Sequence, residues 1–354
     1  MAVKVLFLSD THLGFDMPFR PRVRKRRRGP DFFENFHRAL EPALRQEVDC
    51  VVHGGDILFR SKVPAALVEM AFNPLRKVAE LGIPVFVVPG NHERSRIPYG
   101  LLASDSNIHI FDSPKSYSLL IKDSQVLFAG FPYFRKNVRK NFHSLLNATS
   151  WKKHQADLRI LCVHHCFEGA QVGPVNYTFR YVDDVIRMNE IPDGFTAVLS
   201  GHIHRHQILT TDLSGKPARC PVLFCGSTER TSFAEKDEEK GYLLLEFDIE
   251  KPGDRAFLSH EFHRLPTRPM LNFELHVSKL EPTHIRYWLE KLATTIDKDA
   301  VAKINILGSV DASKREILNS SYIRSILPAT VNCELVFRDF LNKKHKYGAV
   351  TSVR

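Results

Sequence analysis

Short apolar runs alternate with helical patterns along the first half of the chain. Residues 3–8 (VKVLFL) are rich in branched apolar side chains and are followed by polar residues, which predicts a buried strand. Similar runs recur at 50–53, 84–88, 126–129, 159–163, 196–199 and 222–225. Asp31 and Glu34 have the spacing of a capping box for a helix ending near Glu47, and a second helix is predicted over 63–81. The order strand, helix, strand, helix predicts an α/β fold.

After about residue 110, polar turns separate paired apolar stretches. The segments 117–131 and 241–262 are therefore predicted to be β-hairpins, so the sheets should be mixed. RLPTRP (264–269) marks a boundary, and the pattern beyond it predicts a small α/β unit. Its predicted elements, in the order strand, helix, strand, helix, strand, are 270–277, 282–295, 302–307, a helix from Ser313, and 333–337. We expect two domains, residues 1–262 and 263–354.

The composition is that of a soluble globular protein. Of 354 residues, 43% are apolar and 25% are charged, which excludes wholesale disorder and fibrous repeats. No run of about 18 apolar residues is present, and Asp10 follows the first run too soon for a signal peptide. The six cysteines form no CxxC pair, which fits a reducing compartment. We expect no membrane association and a cytoplasmic location, associated with the nucleoid if the source is prokaryotic.

Polar residues that can bind metal follow five of the apolar runs. They are Asp10 and His12, Asp56, Asn91 and His92, His164, and His202 with His204. Side chains at the carboxyl ends of strands project into a shared crevice, so these residues are expected to converge. Each loop alone has an ordinary explanation as a turn or cap, but five together do not. Carboxylate, imidazole and amide donors without thiolates suit Mn²⁺, with Fe²⁺ or Zn²⁺ as alternatives.

So many donors are enough for two ions. Two cations about 3.5–4 Å apart generate hydroxide at neutral pH and neutralise charge during in-line displacement at phosphorus. A carboxylate can bridge them, and Asp56, which is central in the series, is the predicted bridge.

These motifs, VLFLSDTHLG, GGD, PGNHE, VHH and SGHIH, resemble the five motifs of calcineurin-like metallophosphoesterases in order and spacing. The resemblance covers roughly residues 3–250. It implies a four-layer α/β sandwich, two mixed sheets flanked by helices, followed by a small C-terminal α/β capping domain. It also implies two metal sites, one formed by Asp10, His12, Asp56 and His204, the other by Asp56, Asn91, His164 and His202.

The same resemblance gives His92 a catalytic role. His92 would lie near the scissile phosphate and donate to an oxygen or protonate the leaving group. Its alternative role is to support a ligand from outside the coordination sphere. His164 and His165 are adjacent and point to opposite sides if the strand continues, so either can be the ligand. His164 is preferred because it comes first after ILCV.

A basic run follows His12 closely. Lys and Arg number 50 against 40 Asp and Glu, a net charge of +10, and residues 20–28 (RPRVRKRRR) contain no acidic side chain. Such a run beside a phosphate-binding site would hold a nucleic-acid backbone through counterion release; the alternative is a solvated basic loop. DNA binding is predicted for Arg20, Arg22, Arg24, Lys25, Arg26, Arg27 and Arg28.

A narrower resemblance comes from CGSTERTSFAEKDEEKGYLLLEF (225–247), RGPDFFENF, FEGAQVG and the C-terminal unit. Together they resemble SbcD-type, meiotic-recombination-eleven-like nucleases of DNA double-strand-break repair. That resemblance implies two Mn²⁺ per chain, 3′–5′ exonuclease activity on duplex DNA, endonuclease activity on single strands, and a homodimer. It also implies an SMC-like ATPase partner of the SbcC type. Members of that family commonly extend to ATPase-binding helices, whereas this sequence ends at residue 354, so the ATPase contact stays an open question at this point.

Two other functions are compatible with the same motifs. A phosphatase or cyclic-nucleotide phosphodiesterase would use the dinuclear site without needing the basic run. A non-catalytic scaffold that binds DNA ends would use the basic run without needing a complete set of metal ligands. Every ligand type is present in this sequence, which favours an enzyme.

Overall fold

A computed structural model of the chain describes residues 2–17, 26–93, 107–180, 182–251 and 253–338. The described residues divide into two compact units. The first contains residues 2–17 and those from 28 to 267, and the second contains residues 26–27 and 268–338. The division thus lies after residue 267, whereas the sequence suggested residue 262, because the last strand of the first unit continues to Arg264.

Strands supply most of the regular secondary structure of the first unit. They are β1 (Ala2–Leu8), β2 (Cys50–His53), β3 (Val85–Val87), β4 (Ile108–Ile110), β5 (Lys115–Ile121), β6 (Ser124–Gly130), β7 (Leu158–Val163), β8 (Cys166–Phe167), β9 (Gln171–Val172), β10 (Tyr177–Thr178), β11 (Val185–Ile186), β12 (Ala197–Ser200), β13 (Gln207–Thr211), β14 (Pro217–Phe224), β15 (Gly241–Asp248) and β16 (Phe257–Arg264). One six-stranded sheet has the order β16-β15-β1-β2-β3-β4 and the other the order β13-β14-β12-β7-β6-β5. Both are mixed, because each contains parallel and antiparallel pairs, as the two hairpins in the sequence predicted.

The two sheets pack face to face through apolar side chains. Val5 and Phe7 of β1 belong to the same buried cluster as Ile160 of β7. Because side chains alternate along a strand, Leu6 points to the opposite face, where it packs in a cluster with Phe36 of the first helix. Strands buried on both faces explain why the runs in the sequence are continuously apolar.

Helices cover the outer faces of this unit. They are α1 (Gly29–Leu44), α2 (Ala65–Glu80) and α3 (Val138–Ala148). Residues of α1 and α2 share an apolar cluster with the first sheet, and residues of α3 share one with the second. The expected four-layer sandwich of two mixed sheets flanked by helices is confirmed. No helix in the described part of the chain is long and apolar enough to span a lipid bilayer.

The predicted start of the first helix is wrong by three residues, because the capping position is Arg28 rather than Asp31. Helix α1 begins at Gly29, with a proline in its first turn, and Asp31 lies inside that turn rather than capping it. Proline is favoured at this position because its fixed φ suits a helix and its missing N–H has no helical partner there. An acidic residue in the first turn still favours the helix through its dipole.

The second unit is a small α/β structure, as the sequence predicted. Its elements are β17 (Met270–His276), α4 (Pro282–Thr295), β18 (Val301–Leu307), α5 (Ala312–Arg315), α6 (Ser320–Ile326) and β19 (Asn332–Arg338). The three strands are parallel in the order β17-β18-β19. Instead of one helix from Ser313 there are two, because Asn319 caps α6 by accepting hydrogen bonds from the N–H groups of Ser321 and Tyr322, both at 2.9 Å.

Candidate metal centre

The loops that carry the predicted donors all leave the carboxyl ends of strands in the first unit. Strand β2 pairs in parallel with β1 and with β3, and β7 pairs in parallel with β12. The loops after the first three carry Asp10, His12, Asp56, Asn91 and His92, and those after the other two carry His164, His202 and His204. The structure brings all of these residues together, as the following distances show.

One donor group consists of Asp10, His12 and His204. Their ligand atoms lie within 4.8 Å of one another. Nε2 of His12 is 2.9 Å from Nε2 of His204, which in turn is 3.9 Å from Oδ1 of Asp10. Two imidazole nitrogens and a carboxylate oxygen this close together have the composition and spacing of a divalent-cation site.

A second donor group contains Asp56, Asn91, His164 and His202. Nε2 of His164 lies 3.4 Å from Oδ2 of Asp56 and 3.1 Å from Oδ1 of Asn91. The same asparagine oxygen is 3.0 Å from Nδ1 of His202. Imidazole nitrogens, a carboxylate and an amide oxygen therefore converge here as well.

Asp56 connects the two groups. It clusters with His12 and His92 within 4.8 Å, and also with Asp10 and His164 within 4.8 Å. Only 3% of its side chain is exposed. A buried carboxylate between two donor groups fits the bridging position of a dinuclear site. The nitrogen and oxygen donors and the absence of a cysteine from these groups fit two divalent ions of the Mn²⁺, Fe²⁺ or Zn²⁺ type.

Several donors occupy a strained backbone conformation. Four of them have positive φ, namely Asp10 (51°), His12 (44°), Asp56 (51°) and His202 (82°). Non-glycine residues in the left-handed region cost about 1–3 kcal/mol each and persist only where the surrounding structure requires them.

The glycines in the motifs let the donor loops approach one another. A Cβ atom on Gly90 would overlap the backbone nitrogen and carboxylate of Asp56. One on Gly201 would overlap the Gly54 carbonyl oxygen and the Ser9 hydroxyl. Glycine is therefore required before both Asn91 and His202, since these positions are where donor loops from different strands touch.

Asp56 and His164 form a buried charge pair. Burial alone would raise the pKa of Asp56, but the nearby His164, assisted by His12 and His92, holds it well below its usual range. Burial would lower the pKa of His164, and the Asp56 and Asp10 carboxylates outweigh that effect and raise it to about 9. By contrast, burial and the charge of His164 lower the pKa of His202 to about 3. The pKa values of two neighbouring imidazoles are therefore shifted in opposite directions around one carboxylate.

His92 lies at the accessible side of the site. Its backbone N–H donates to Oδ1 of Asp56 at 2.8 Å, and its Nδ1 is 2.7 Å from the Phe59 carbonyl oxygen. Because a carbonyl only accepts, Nδ1 carries the proton in that contact. Nε2 lies 3.8 Å from Oδ2 of Asp56, and 35% of the side chain is exposed. The ring is therefore fixed at one nitrogen and presents the other to the site.

The two adjacent histidines have different surroundings. His164 joins the donor group, with its Nδ1 2.7 Å from the Gly54 carbonyl oxygen. His165 points away, and its Nε2 accepts a hydrogen bond from the Phe134 N–H at 3.0 Å. The structure places the preferred His164, rather than its neighbour, among the donors.

Glu93 is a site residue to which no role was assigned from the sequence. Its carboxylate accepts hydrogen bonds from the N–H groups of Asp56 at 3.0 Å, Leu58 at 2.8 Å and Gly90 at 2.7 Å. Burial and the negative charge of Asp56 raise its pKa to about 8. The signal in the sequence is an acidic residue two positions after Asn91, within the PGNHE motif. The Glu93 carboxylate therefore fixes the loop of Asp56 relative to the loop of Gly90.

The predicted DNA-binding run is only partly described. Arg20, Arg22, Arg24 and Lys25 lie outside the described residues. In the second unit, Arg26 forms an ion pair with Asp299 at 2.6 Å, and Arg27 follows it in the same unit.

The last residue of the run, Arg28, belongs to the first unit and is buried. Its guanidinium pairs with Glu229 at 3.3 Å and donates to the Arg230 carbonyl at 2.5 Å. It also lies over the rings of Phe15 and Phe32. A buried guanidinium held in this way cannot hold a DNA phosphate, so the DNA-binding prediction for Arg28 is corrected to a structural role.

Comparisons with known proteins agree with this site. A family model described as calcineurin-like phosphoesterase matches residues 3–206, which contain every donor named above. A DNA double-strand break repair protein Mre11 from Saccharolobus solfataricus is 25% identical over 283 residues, covering 78% of this chain and 65% of that protein. Mre11 from Haloferax volcanii is 29% identical over 281 residues, covering 78% of this chain and 55% of that protein. The chain spans about half to two thirds of the length of these relatives.

Among solved structures, a dimetal phosphatase from Danio rerio superposes with a TM-score of 0.41 at 11% identity, covering 73% of this chain and 98% of that one.

Proposed function

Because the chain belongs to the calcineurin-like phosphoesterase family, we propose that it is a metal-dependent DNA nuclease of double-strand-break repair. One observation carries the proposal: Asp56 lies between the Asp10, His12 and His204 group and the group that contains His164. This arrangement supports phosphodiester hydrolysis assisted by two ions. The relatives named as double-strand break repair proteins support DNA as the substrate.

The proposed cofactors are two Mn²⁺ ions per chain, with Fe²⁺ or Zn²⁺ as alternatives. Asp10, His12, Asp56 and His204 would hold one ion, and Asp56, Asn91, His164 and His202 the other. When bound, such ions polarise a phosphate, lower the pKa of water and offset the charge that develops during displacement.

His92 is the proposed catalytic residue. Its Nδ1 is engaged by the Phe59 carbonyl, so the ring cannot rotate freely and Nε2 faces the site. A protonated Nε2 would donate to a phosphate oxygen or to the leaving oxygen as charge develops there. The exposure of His92 supports contact with a substrate that arrives from solvent.

The basic residues Arg20, Arg22, Arg24, Lys25, Arg26 and Arg27 are proposed to hold the DNA backbone without reading its sequence. We further propose 3′–5′ exonuclease activity on duplex DNA and endonuclease activity on single strands. A homodimer and an SMC-like ATPase partner complete the proposal, with a cytoplasmic location.

Cleavage assays test this function directly. End-labelled duplex DNA and circular single-stranded DNA are incubated with the chain and Mn²⁺, Mg²⁺ or Zn²⁺, beside a phosphomonoester and a cyclic nucleotide. We expect Mn²⁺-dependent cleavage of both DNAs and loss of cleavage in Asp56→Asn. Glu69→Gln, which changes an exposed carboxylate on α2, is the matched control and should cleave normally.

The alternatives predict different results. Hydrolysis of the small substrates without DNA cleavage would identify a phosphatase or cyclic-nucleotide phosphodiesterase. DNA binding without cleavage under any metal would identify a scaffold. Either result would overturn the nuclease proposal.

A further inference from the structure

The far nitrogen of one metal-site histidine rests on a buried carboxylate. His204 directs Nε2 toward His12 and Asp10, whereas its Nδ1 lies 3.2 Å from Oε1 of Glu235. A carboxylate in contact with the distal ring nitrogen of a metal-binding histidine fixes the tautomer, orients the ring and raises the basicity of the ligating nitrogen. Glu235 belongs to a short 3₁₀ helix, Phe233–Glu235, outside all five donor motifs.

Glu235 is itself held in place by other groups. Its Oε1 accepts a hydrogen bond from the Thr231 hydroxyl at 2.6 Å, and its Oε2 accepts one from the Thr231 N–H at 3.3 Å. Oε2 is also 2.7 Å from Nζ of Lys240, whose side chain is completely buried. His204, Lys240 and burial act together on this carboxyl: burial would raise its pKa, and the two basic groups hold it below its usual range.

Lys240 makes two further contacts, one of them with the histidine segment. Its Nζ donates to the main-chain oxygen of His204 at 2.9 Å and pairs with Glu238 at 3.1 Å. The lysine therefore fixes the backbone of His204 directly and its ring through Glu235. A buried ammonium is tolerated here because two carboxylates and a carbonyl surround it.

In the described part of the chain, His164 and His12 have no carboxylate at Nδ1. The Nδ1 of His164 contacts the Gly54 carbonyl oxygen, a neutral acceptor. The buried Nδ1 of His12 has no hydrogen-bond partner among the described residues. The Nδ1 of His204 thus meets a charged acceptor, whereas the Nδ1 of His164 meets a neutral one.

We propose that Glu235, held by Lys240, is a positioning residue that selectively strengthens the ion site formed by Asp10, His12 and His204. This inference rests on the dinuclear site of the proposed function and assigns unequal control of its two ions. Removing the charge of Glu235 should lower the affinity for the ion at Asp10, His12 and His204 by about 10–100-fold, as expected for the outer partner of a metal ligand. The affinity for the other ion should be unchanged.

The chain offers a matched pair of variants. Glu235→Gln and Glu238→Gln each remove one of the two carboxylates that pair with Lys240, and each leaves the other in place. Of these two glutamates, Glu235 is the one whose carboxylate contacts the His204 ring. Mn²⁺ binding to the full chain is measured without DNA, by calorimetry and by electron paramagnetic resonance, which distinguishes a coupled pair of ions from a single one. Thermal unfolding of the metal-free proteins checks folding.

We expect wild type and Glu238→Gln to bind two Mn²⁺ ions with the same affinities. Glu235→Gln should bind one ion with wild-type affinity and the other with lowered affinity. Equal effects of the two variants, or no effect of Glu235→Gln, would overturn the inference while leaving the proposed function intact. Fewer than two ions in wild type would overturn the proposed dinuclear site and the inference with it.

A measurement on the wild-type chain keeps the inference testable should Glu235→Gln not fold. In the zinc-loaded protein labelled with ¹⁵N-histidine, the His204 signals are identified by their loss in His204→Gln. We expect the proton on Nδ1 and coordination at Nε2. A proton on Nε2 would overturn the inference.

Discussion

The Glu93 carboxylate accepts a hydrogen bond from the backbone N–H of Asp56 at 3.0 Å. The same oxygen accepts a second hydrogen bond from Gly90 at 2.7 Å, and the other oxygen accepts one from Leu58 at 2.8 Å. One side chain therefore joins the loop after β2 to the loop after β3. The position of the candidate bridging carboxylate depends on a residue that has no place in the donor set.

Glu93→Gln should destabilise the metal-free protein. An amide group offers one acceptor oxygen in place of two, so its NH₂ end would face backbone N–H groups that have no other partner. Leaving a buried donor unsatisfied costs about 1–3 kcal/mol. Urea denaturation measures the free energy of unfolding, with Glu69→Gln on the surface as the control. Equal stability of the two variants would show that Glu93 does not hold these loops.

His92→Ala should abolish phosphodiester cleavage while both ions stay bound. The expectation follows because the Nε2 of His92 faces the site from its exposed side and the donor groups are complete without this ring. Calorimetric titration with Mn²⁺ measures the number of bound ions, and a labelled DNA duplex reports cleavage. Loss of an ion in His92→Ala would instead show that His92 is a metal ligand. The ligand atoms of His92, His12 and Asp56 lie within 4.8 Å of one another, so the titration distinguishes the two roles.

The donors could be found in the sequence because each is local to a strand end. Asp10, Asp56 and His164 lie within three residues of the ends of apolar runs, so their positions relative to the predicted strands identify them as candidates. Glu93 and Glu235 act on groups that come close only in the folded chain, such as the N–H of Asp56 and the ring of His204. No spacing along the chain identifies such partners.

The same limit explains the error over Arg28. In the sequence it is the last member of a uniformly basic run, indistinguishable from the residues before it. In the fold it precedes the first residue of α1, and its guanidinium turns inward to Glu229, about two hundred positions further on. Charge patterning predicts the sign of a surface, whereas the burial of one member of a run depends on tertiary contacts.

Arg28→Met should therefore destabilise the protein without acting through DNA. Only 8% of the Arg28 side chain and 3% of the Glu229 side chain are exposed, so the variant leaves a buried carboxylate without its cation. Breaking a buried pair from one side costs about 3–5 kcal/mol. Arg26→Met is the control, since its partner Asp299 is 65% exposed and an exposed pair contributes about 0–1 kcal/mol. Equal free energies of unfolding for the two variants would refute the structural role of Arg28.

Neutralising Arg20, Arg22 and Arg24, the first three basic residues of the run, should weaken DNA binding in a salt-dependent way. In the triple variant Arg20→Gln, Arg22→Gln and Arg24→Gln, each lost phosphate contact should reduce the slope of log affinity against log salt by about 0.9 on duplex DNA. Hydrolysis of a small aryl phosphodiester should be unchanged, because that substrate has no backbone to hold. Lys216→Gln, Lys279→Gln and Lys291→Gln together remove the same charge from exposed positions and serve as the control. Equal losses in both triple variants would indicate an effect of net charge alone.

His53→Asn should change the pH dependence of stability in a defined direction. His53 is buried between Thr11 and the Gly55 N–H, and burial, reinforced by the nearby His164, lowers its pKa from 6.5 to about 3. Between these values the unfolded chain binds a proton that the folded chain does not, so the histidine reduces stability as pH falls. Above pH 6.5 both states are neutral and this contribution is constant.

In the acidic range, the free energy of unfolding should therefore change less steeply with pH in the variant than in wild type, by about 1.4 kcal/mol per pH unit. This difference in slope does not depend on the stability of the variant at neutral pH. Urea denaturation of metal-free protein between about pH 4.5 and 7.5 measures the free energy of unfolding. His37→Asn, which makes the same substitution at an exposed position on α1, provides the comparison. An unchanged slope in His53→Asn would mean that the folded protein accommodates the protonated ring, contrary to its position in the core.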